Sequence, residues 1–276
     1  SGFLPKMFFI NTTTDYWTRA ASLLHTDVEG KNDTGIDPNV RMYFIAGRQH
    51  VDSRVGIIGR ALLTALDQWI SLDIKPPDSH IPKISNGSLV TLEAYCNALP
   101  DIPGIQTPRS FYNPYRLDLG PRWDTDGIAD NVPPKIGPRF VALVPQVNED
   151  GNEIAGVQLP EIAVPLASFT GWFMRSPSFS NTLRINVGRI WPFPRTTDER
   201  KQNSDPRKAI FELYPTKADY MFKVTECLLE LNRQRFLLDE DVTNLLKQAA
   251  QQSSLIEEMR HRDLRFVAEV AIEEGA

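Results

Sequence analysis

One stretch, Met7 to His50, constrains the fold of this chain more than any other. It opens MFFINTTTDYW and closes VRMYFIAGRQH. The apolar runs Met7 to Ile10 and Met42 to Ala46 are short, rich in aromatics and ended by polar residues or glycine, which is the pattern of strands covered on both faces. Between them, Asp15 to Leu24 sets Tyr16, Ala20, Leu23 and Leu24 on one helical face, with Thr14 as N-cap. Strand, helix and strand within one crossover predict two parallel neighbouring strands joined by a right-handed connection.

That order has a chemical consequence. In an open parallel sheet the loops leaving the carboxyl ends of the strands converge on one edge, where ligands bind. Asp15 leaves the first strand there and His50 the second. A carboxylate that holds an imidazole in one tautomer, so that the ring can deprotonate a hydroxyl, is the acid and base half of a Ser-His-Asp triad. Asp27 and Glu29, in H-T-D-V-E-G, are rival acids. An acid in the first turn of a helix is also favoured by the helix dipole alone.

A nucleophile to match them is missing from the sequence. No G-x-S-x-G occurs, although that motif presents the serine on a strained strand-to-helix turn in enzymes whose triad runs Ser, Asp or Glu, His. Ser88 lies in N-G-S-L-V, where Asn-Gly reads as a turn, and Ser168 in L-A-S-F-T-G-W lacks both flanking glycines. With its first predicted strand so close to the start, the sequence reads as the carboxyl-terminal part of a larger enzyme.

The runs NTTTDYWTRAASLLHTDVEG, VRMYFIAGRQH, PRFVALVPQVNEDGNEIAGVQLPEIAVPLASFTGW and DPRKAIFELYPTKADY resemble the carboxyl-terminal region of the alpha/beta-hydrolase domain-containing proteins, a serine hydrolase and esterase-like group. The resemblance spans Phe3 to about Ala250. It implies a serine encoded upstream, Asp15 at the acid position before Tyr-Trp, and His50 closing G-x-Q-H. The usual pattern has Thr where this sequence has Arg48, and Asn where it has Phe173; both departures bear on substrate class. The fold expected is α/β: the last parallel strands and crossover helix of an alpha/beta-hydrolase sheet over 1–75, a Pro-rich wrapping segment with a β-hairpin and an aromatic loop over 76–205, and a helical region over 206–276.

Later segments carry weaker signals. Val55, Ile58, Leu62, Leu66 and Trp69 recur at helical spacing over Val55 to Ile70. Of 21 prolines, eleven fall between Pro76 and Pro138, which breaks up regular structure there. Arg139 to Val147 and Glu153 to Leu166 read as a hairpin around the loop Asn148 to Asn152. From Phe169 to Pro194, Trp172, Phe173, Phe179, Trp191 and Phe193 fall without periodicity; they either plug a gap between layers or roof an apolar substrate. Trp17, Trp172 and Phe173 are the candidate substrate contacts. Helices are expected at Arg207 to Leu213, Lys217 to Gln234 and Glu240 to Gln251, capped in the last two cases by Thr216 and Asp239, and along the tail from Ser254.

A net charge of −5 argues against the basic footprint of a nucleic-acid binder. No uninterrupted apolar run approaches the roughly 18 residues of a membrane span. Two cysteines, Cys96 and Cys227, make neither a disulfide framework nor a zinc motif. His25-Thr-Asp27 and His50-Val-Asp52 are both H-x-D, which keeps a metal site open only if the four groups converge. No cofactor is expected. The residues support carboxylic-ester hydrolysis on a small ester, with the amino-terminal part of the enzyme as a second polypeptide, or else a non-catalytic binding module.

Overall fold

The computed structural model describes residues 4–175 and 182–253. β1 (Met7–Thr12) and β2 (Val40–Ile45) pair in parallel, Met7 opposite Val40 through Thr12 opposite Ile45. Between them lies α1 (Thr13–Arg19), followed by a 3-10 turn, Ala21–Leu24. The expected helix was thus split and its cap misplaced. Ala20 takes a left-handed φ of 54° and ends α1, and the N-cap is Thr12, because the Asp15 carboxylate reaches back to its N–H at 2.8 Å.

The two strands differ in cover. On its far side β2 bonds to residues of this same chain: Phe44 N–H to the His80 carbonyl at 2.8 Å and Ala46 N–H to the Val157 carbonyl at 3.1 Å. Tyr43, Phe44, Ile45 and Ala46 are accordingly wholly buried. β1 pairs only with β2 among the described residues, and Ile10 on it is 38% exposed.

α2 (Ser53–Leu72) starts where the Asp52 carboxylate accepts from Arg54 N–H. Its Ile58, Leu62, Ala65 and Trp69 side is buried, with Phe8 of β1 stacked on Trp69 at 6.0 Å. By length and composition alone α2 could cross a membrane, a property hidden in the sequence because Arg60 and Asp67 interrupt its apolar runs. Ile58 and Leu62 pack in the largest core cluster with Tyr43, Ile45, Val157, Phe193 and Val224, which come from well-separated parts of the chain.

The proline-rich middle wraps this core in short pieces: β3 (Leu89–Val90), α3 (Leu92–Ala98), β4 (Tyr115–Asp118), α4 (Trp123–Asp126) and β5 (Lys135–Arg139). β4 and β5 pair antiparallel, and β6 (Val144–Pro145) pairs with β3. The hairpin predicted around Asn148 to Asn152 therefore reduces to one bridge, Val147 to Glu153. The turn itself forms, with the Asn148 side chain accepting from Asp150 and Asn152 N–H at 3.0 Å, but Val144 pairs with Val90 of β3 instead.

After α5 (Pro160–Ala163), the stretch expected to be irregular contains an antiparallel pair, β7 (Ala167–Thr170) with β8 (Arg189–Pro192). Helices α6 (Thr197–Gln202), α7 (Ile210–Leu213) and α8 (Lys217–Arg233) follow, then a helical stretch over 239–253. Thr216 caps α8 as the sequence predicts, accepting from Asp219 N–H at 3.1 Å. Asp239 does not cap; it is helical, and its carboxylate accepts from Asn232 Nδ2 at 2.9 Å. Phe179 and the tail from Ser254 lie outside the described residues.

Candidate active site

The carboxyl ends of β1 and β2 bring Asp15 and His50 together. Asp15 Oδ1 lies 2.8 Å from His50 Nδ1. Asp15 is buried, and Oδ2 accepts from both the N–H and the hydroxyl of Thr12 at 2.8 Å, which locks the carboxylate in place. Arg19, one turn along α1, reaches Oδ1 at 3.2 Å. An ionised carboxylate only accepts, so the shared proton sits on Nδ1 and Nε2 is left as an acceptor. The His50 side chain is 43% exposed, and its Nε2 bonds to no described residue. An imidazole held by a buried acid, in a half-exposed side chain whose other ring nitrogen bonds to no described residue, is equipped to take a proton from a hydroxyl brought to it.

A second carboxyl holds the two strand ends together. Glu153 is 2% exposed and accepts from the Thr13 hydroxyl and from Gly47 N–H, both at 2.7 Å. Desolvation by burial pushes its carboxyl up to about 8, with the two hydrogen bonds pulling the other way. Gly47 makes the turn toward His50 at a φ of +69°, and a Cβ there would lie 2.1 Å from Ile162 Cδ1. Gly47→Ala is therefore expected to cost about 2–3 kcal/mol, from the left-handed backbone and the overpacking together. Urea unfolding checks this, and an unchanged midpoint would refute it. Gly171 answers a similar demand, since its Cβ would lie 2.0 Å from Thr13 Cγ2, while its carbonyl accepts from the Thr14 hydroxyl.

Arg48 is buried beside this turn. It pairs with Glu161 at 2.9 Å and with Asp52 at 3.6 Å, and it lies 5.7 Å from the Phe169 ring. Arg54 also pairs with Glu161. Neither Glu153 nor this cluster carries a sequence signal, because each spans more than a hundred residues of chain.

The rival acids serve elsewhere. Asp27 closes its own loop by accepting from Lys31 N–H and Asn32 Nδ2, and Glu29 pairs with Arg116 at 2.8 Å. His25 is buried, bonded to the Tyr16 hydroxyl at 2.8 Å, and held down to about 4 by desolvation. With Asp52 capping α2, the two H-x-D pairs do not converge, and among the described residues no three His, Cys, Asp or Glu side chains gather as a metal set. Ser88 bonds within its turn to Lys83 N–H and Asn86, and Ser168 is buried between Arg207 and the Asp150 carbonyl.

The aromatic candidates divide. Trp17 is wholly buried in a cluster with Tyr95, Val144, Val147 and Trp172, so it offers a substrate no surface. Trp172 is 1% exposed, its Nε1 donating to the Tyr95 hydroxyl at 3.0 Å, yet its edge reaches a cavity of about 300 Å³ that Phe173 and Trp191 also line. A second cavity, of about 370 Å³, lies against Arg48, Gln49 and Asp52 on either side of His50 in sequence, and Arg189 lines both.

Among protein-family models, the one described as Alpha/beta hydrolase domain matches residues 3–247. No curated protein and no solved structure gives a match. With that model covering most of its length, and with helices and strands mixed as such a domain requires, the chain belongs to the alpha/beta hydrolase domain family.

Proposed function

We propose that this chain supplies the acid and base of a serine carboxylic-ester hydrolase, with the nucleophile on polypeptide outside this sequence. The observation that carries the reading is the 2.8 Å contact between buried Asp15 and His50 Nδ1, with Nε2 bonded to no described residue. A serine hydroxyl brought to Nε2 loses its proton to His50 as it attacks the ester carbonyl. His50 then gives that proton to the departing alcohol, and water enters by the same route in reverse to release the acid. Asp15 stabilises the imidazolium in both halves. The oxyanion donors come with the serine, because one of them is the backbone N–H that follows it.

The amino-terminal part of the hydrolase fits β1. That strand has an unpaired side among the described residues, Ile10 is exposed on it, and Leu63, Ile70 and Leu72 of the neighbouring α2 are each at least 60% exposed. An open apolar strand edge invites pairing. Covering it with a second polypeptide places that polypeptide beside Asp15.

Two measurements test this. The chain alone should neither hydrolyse p-nitrophenyl esters nor label with a fluorophosphonate, while adding the serine-bearing polypeptide should restore both; labelling of a serine within this chain would overturn the assignment. In size-exclusion with light scattering, the chain alone should self-associate and become a defined complex with its partner. A monodisperse monomer with a cooperative melt would remove the partner and leave a binding module as the better reading.

A further inference from the structure

Several exposed arginines in this protein have carboxylates: Arg122 pairs with Asp130, Arg233 with Glu230, and Arg195 with Glu199. Arg184 and Arg189 do not. Neither makes an ion pair or a side-chain hydrogen bond with any described residue, in a chain with 35 acids and a net charge of −5. The local sequence explains it, because between Glu161 and Asp198 there are four arginines and no Asp or Glu.

The two guanidinium groups are nonetheless held. Arg184 lies 5.1 Å and Arg189 4.9 Å from the Phe173 ring centroid, and Arg189 lies 4.4 Å from that of Trp191. Stacking of this kind restrains the planar group and leaves its N–H fork free for an anion. Both arginines border the cavity of about 300 Å³, whose other walls include Trp172, Phe173, Met174, Trp191 and a third arginine, Arg175, and no acid. Arg189 also borders the cavity beside Arg48 and Gln49, the residues leading into His50. On the other flank, Arg19, which contacts Asp15, is bonded to Asn186 at 2.6 Å, so the segment bearing both arginines is tied to the Asp15 helix.

We propose that Arg184 and Arg189 form a subsite for a carboxylate carried on a flat apolar group, a charged fork set against aromatic walls. Two planar forks suit the two oxygens of a carboxylate, and the rings suit the body that carries it. In substrate terms, which rest on the hydrolase reading, this selects half-esters: molecules with one free carboxylate held at the arginines and one ester presented to His50.

The binding itself does not need the serine, so it is testable separately. Benzoate titrated calorimetrically into the protein as it purifies should bind saturably, and neutral benzamide, of nearly the same shape, should not. Arg184→Gln and Arg189→Gln should each weaken benzoate at least tenfold with the thermal melt unchanged. Arg189→Lys, which keeps the charge and loses the fork, should fall between wild type and Arg189→Gln. Raised salt should weaken binding. His50→Ala should leave benzoate affinity as it is, so that loss of esterase chemistry and loss of this subsite are told apart. Equal binding of benzamide, unchanged affinity in both glutamine variants, or inorganic phosphate binding more tightly than benzoate would each overturn the proposal.

Discussion

On the proposed reading, in which a serine-bearing polypeptide completes the enzyme, His50→Ala is expected to lower kcat for p-nitrophenyl acetate by about 10⁴-fold, with KM little changed. The proposed base is lost and no described group stands in for it, since among the described residues His50 bonds only to Asp15. Asp15→Asn should lose a similar factor by a different route. An amide can donate to Nδ1 and so favour the tautomer with its proton on Nε2, which cannot accept from the serine. Because the two residues act as one unit, the double variant should be no slower than His50→Ala by more than a small factor. A loss of less than about tenfold in either single variant, with the fold intact by thermal melt, would remove the pair from the chemistry.

Stability should fall as pH rises through the neutral range, and Glu153→Gln should abolish most of that fall. The Glu153 carboxyl titrates at about 8 in the fold against its ordinary 4.5. Between those values the folded protein holds a proton that the unfolded chain has released, so each rise in pH favours unfolding. The effect is absent below about pH 4.5, grows through pH 6 and 7, and is complete once the pH passes about 8. Its full size, from a rise of 4.5 to about 8, is roughly 5 kcal/mol, comparable with the net stability of many domains. Glutamine keeps an oxygen to accept from the Thr13 hydroxyl and Gly47 N–H and cannot ionise, so its melting temperature should be nearly flat from pH 6 to 9. Glu153→Leu strands both donors and should destabilise at every pH. Equal pH slopes in wild type and Glu153→Gln would show that some other group is responsible. As Glu153 joins the ends of β1 and β2, the same titration bears on the separation of Asp15 and His50.

Local sequence determined the frame of the site. Apolar runs closed by polar residues fixed β1 and β2, a connection too long for a hairpin made them parallel, and the position of Asp15 and His50 just past their ends then required the two side chains to share an edge. Helical spacing located α2, and Thr216 located the start of α8, because a cap acts within one turn of its own residue. Where two local rules competed, as at Thr12 and Thr14, the carboxylate of Asp15 chose between them.

Tertiary structure decided what local rules do not reach. Val144 reads as one arm of a hairpin, and it pairs with β3 because a two-residue strand takes whichever partner buries it. Trp17 and Phe173 look alike as aromatic candidates, yet one is sealed in a core and the other holds two arginines at a cavity wall. Glu153 meets Thr13 across 140 residues, and no pattern of short period can register a contact made over that distance. Propensity and capping act on neighbours in the chain, whereas burial, desolvation and ion pairing act on neighbours in space. The first set the ends of the strands and hence the meeting of Asp15 with His50; the second set the carboxyl that holds those ends together and the arginines beside them.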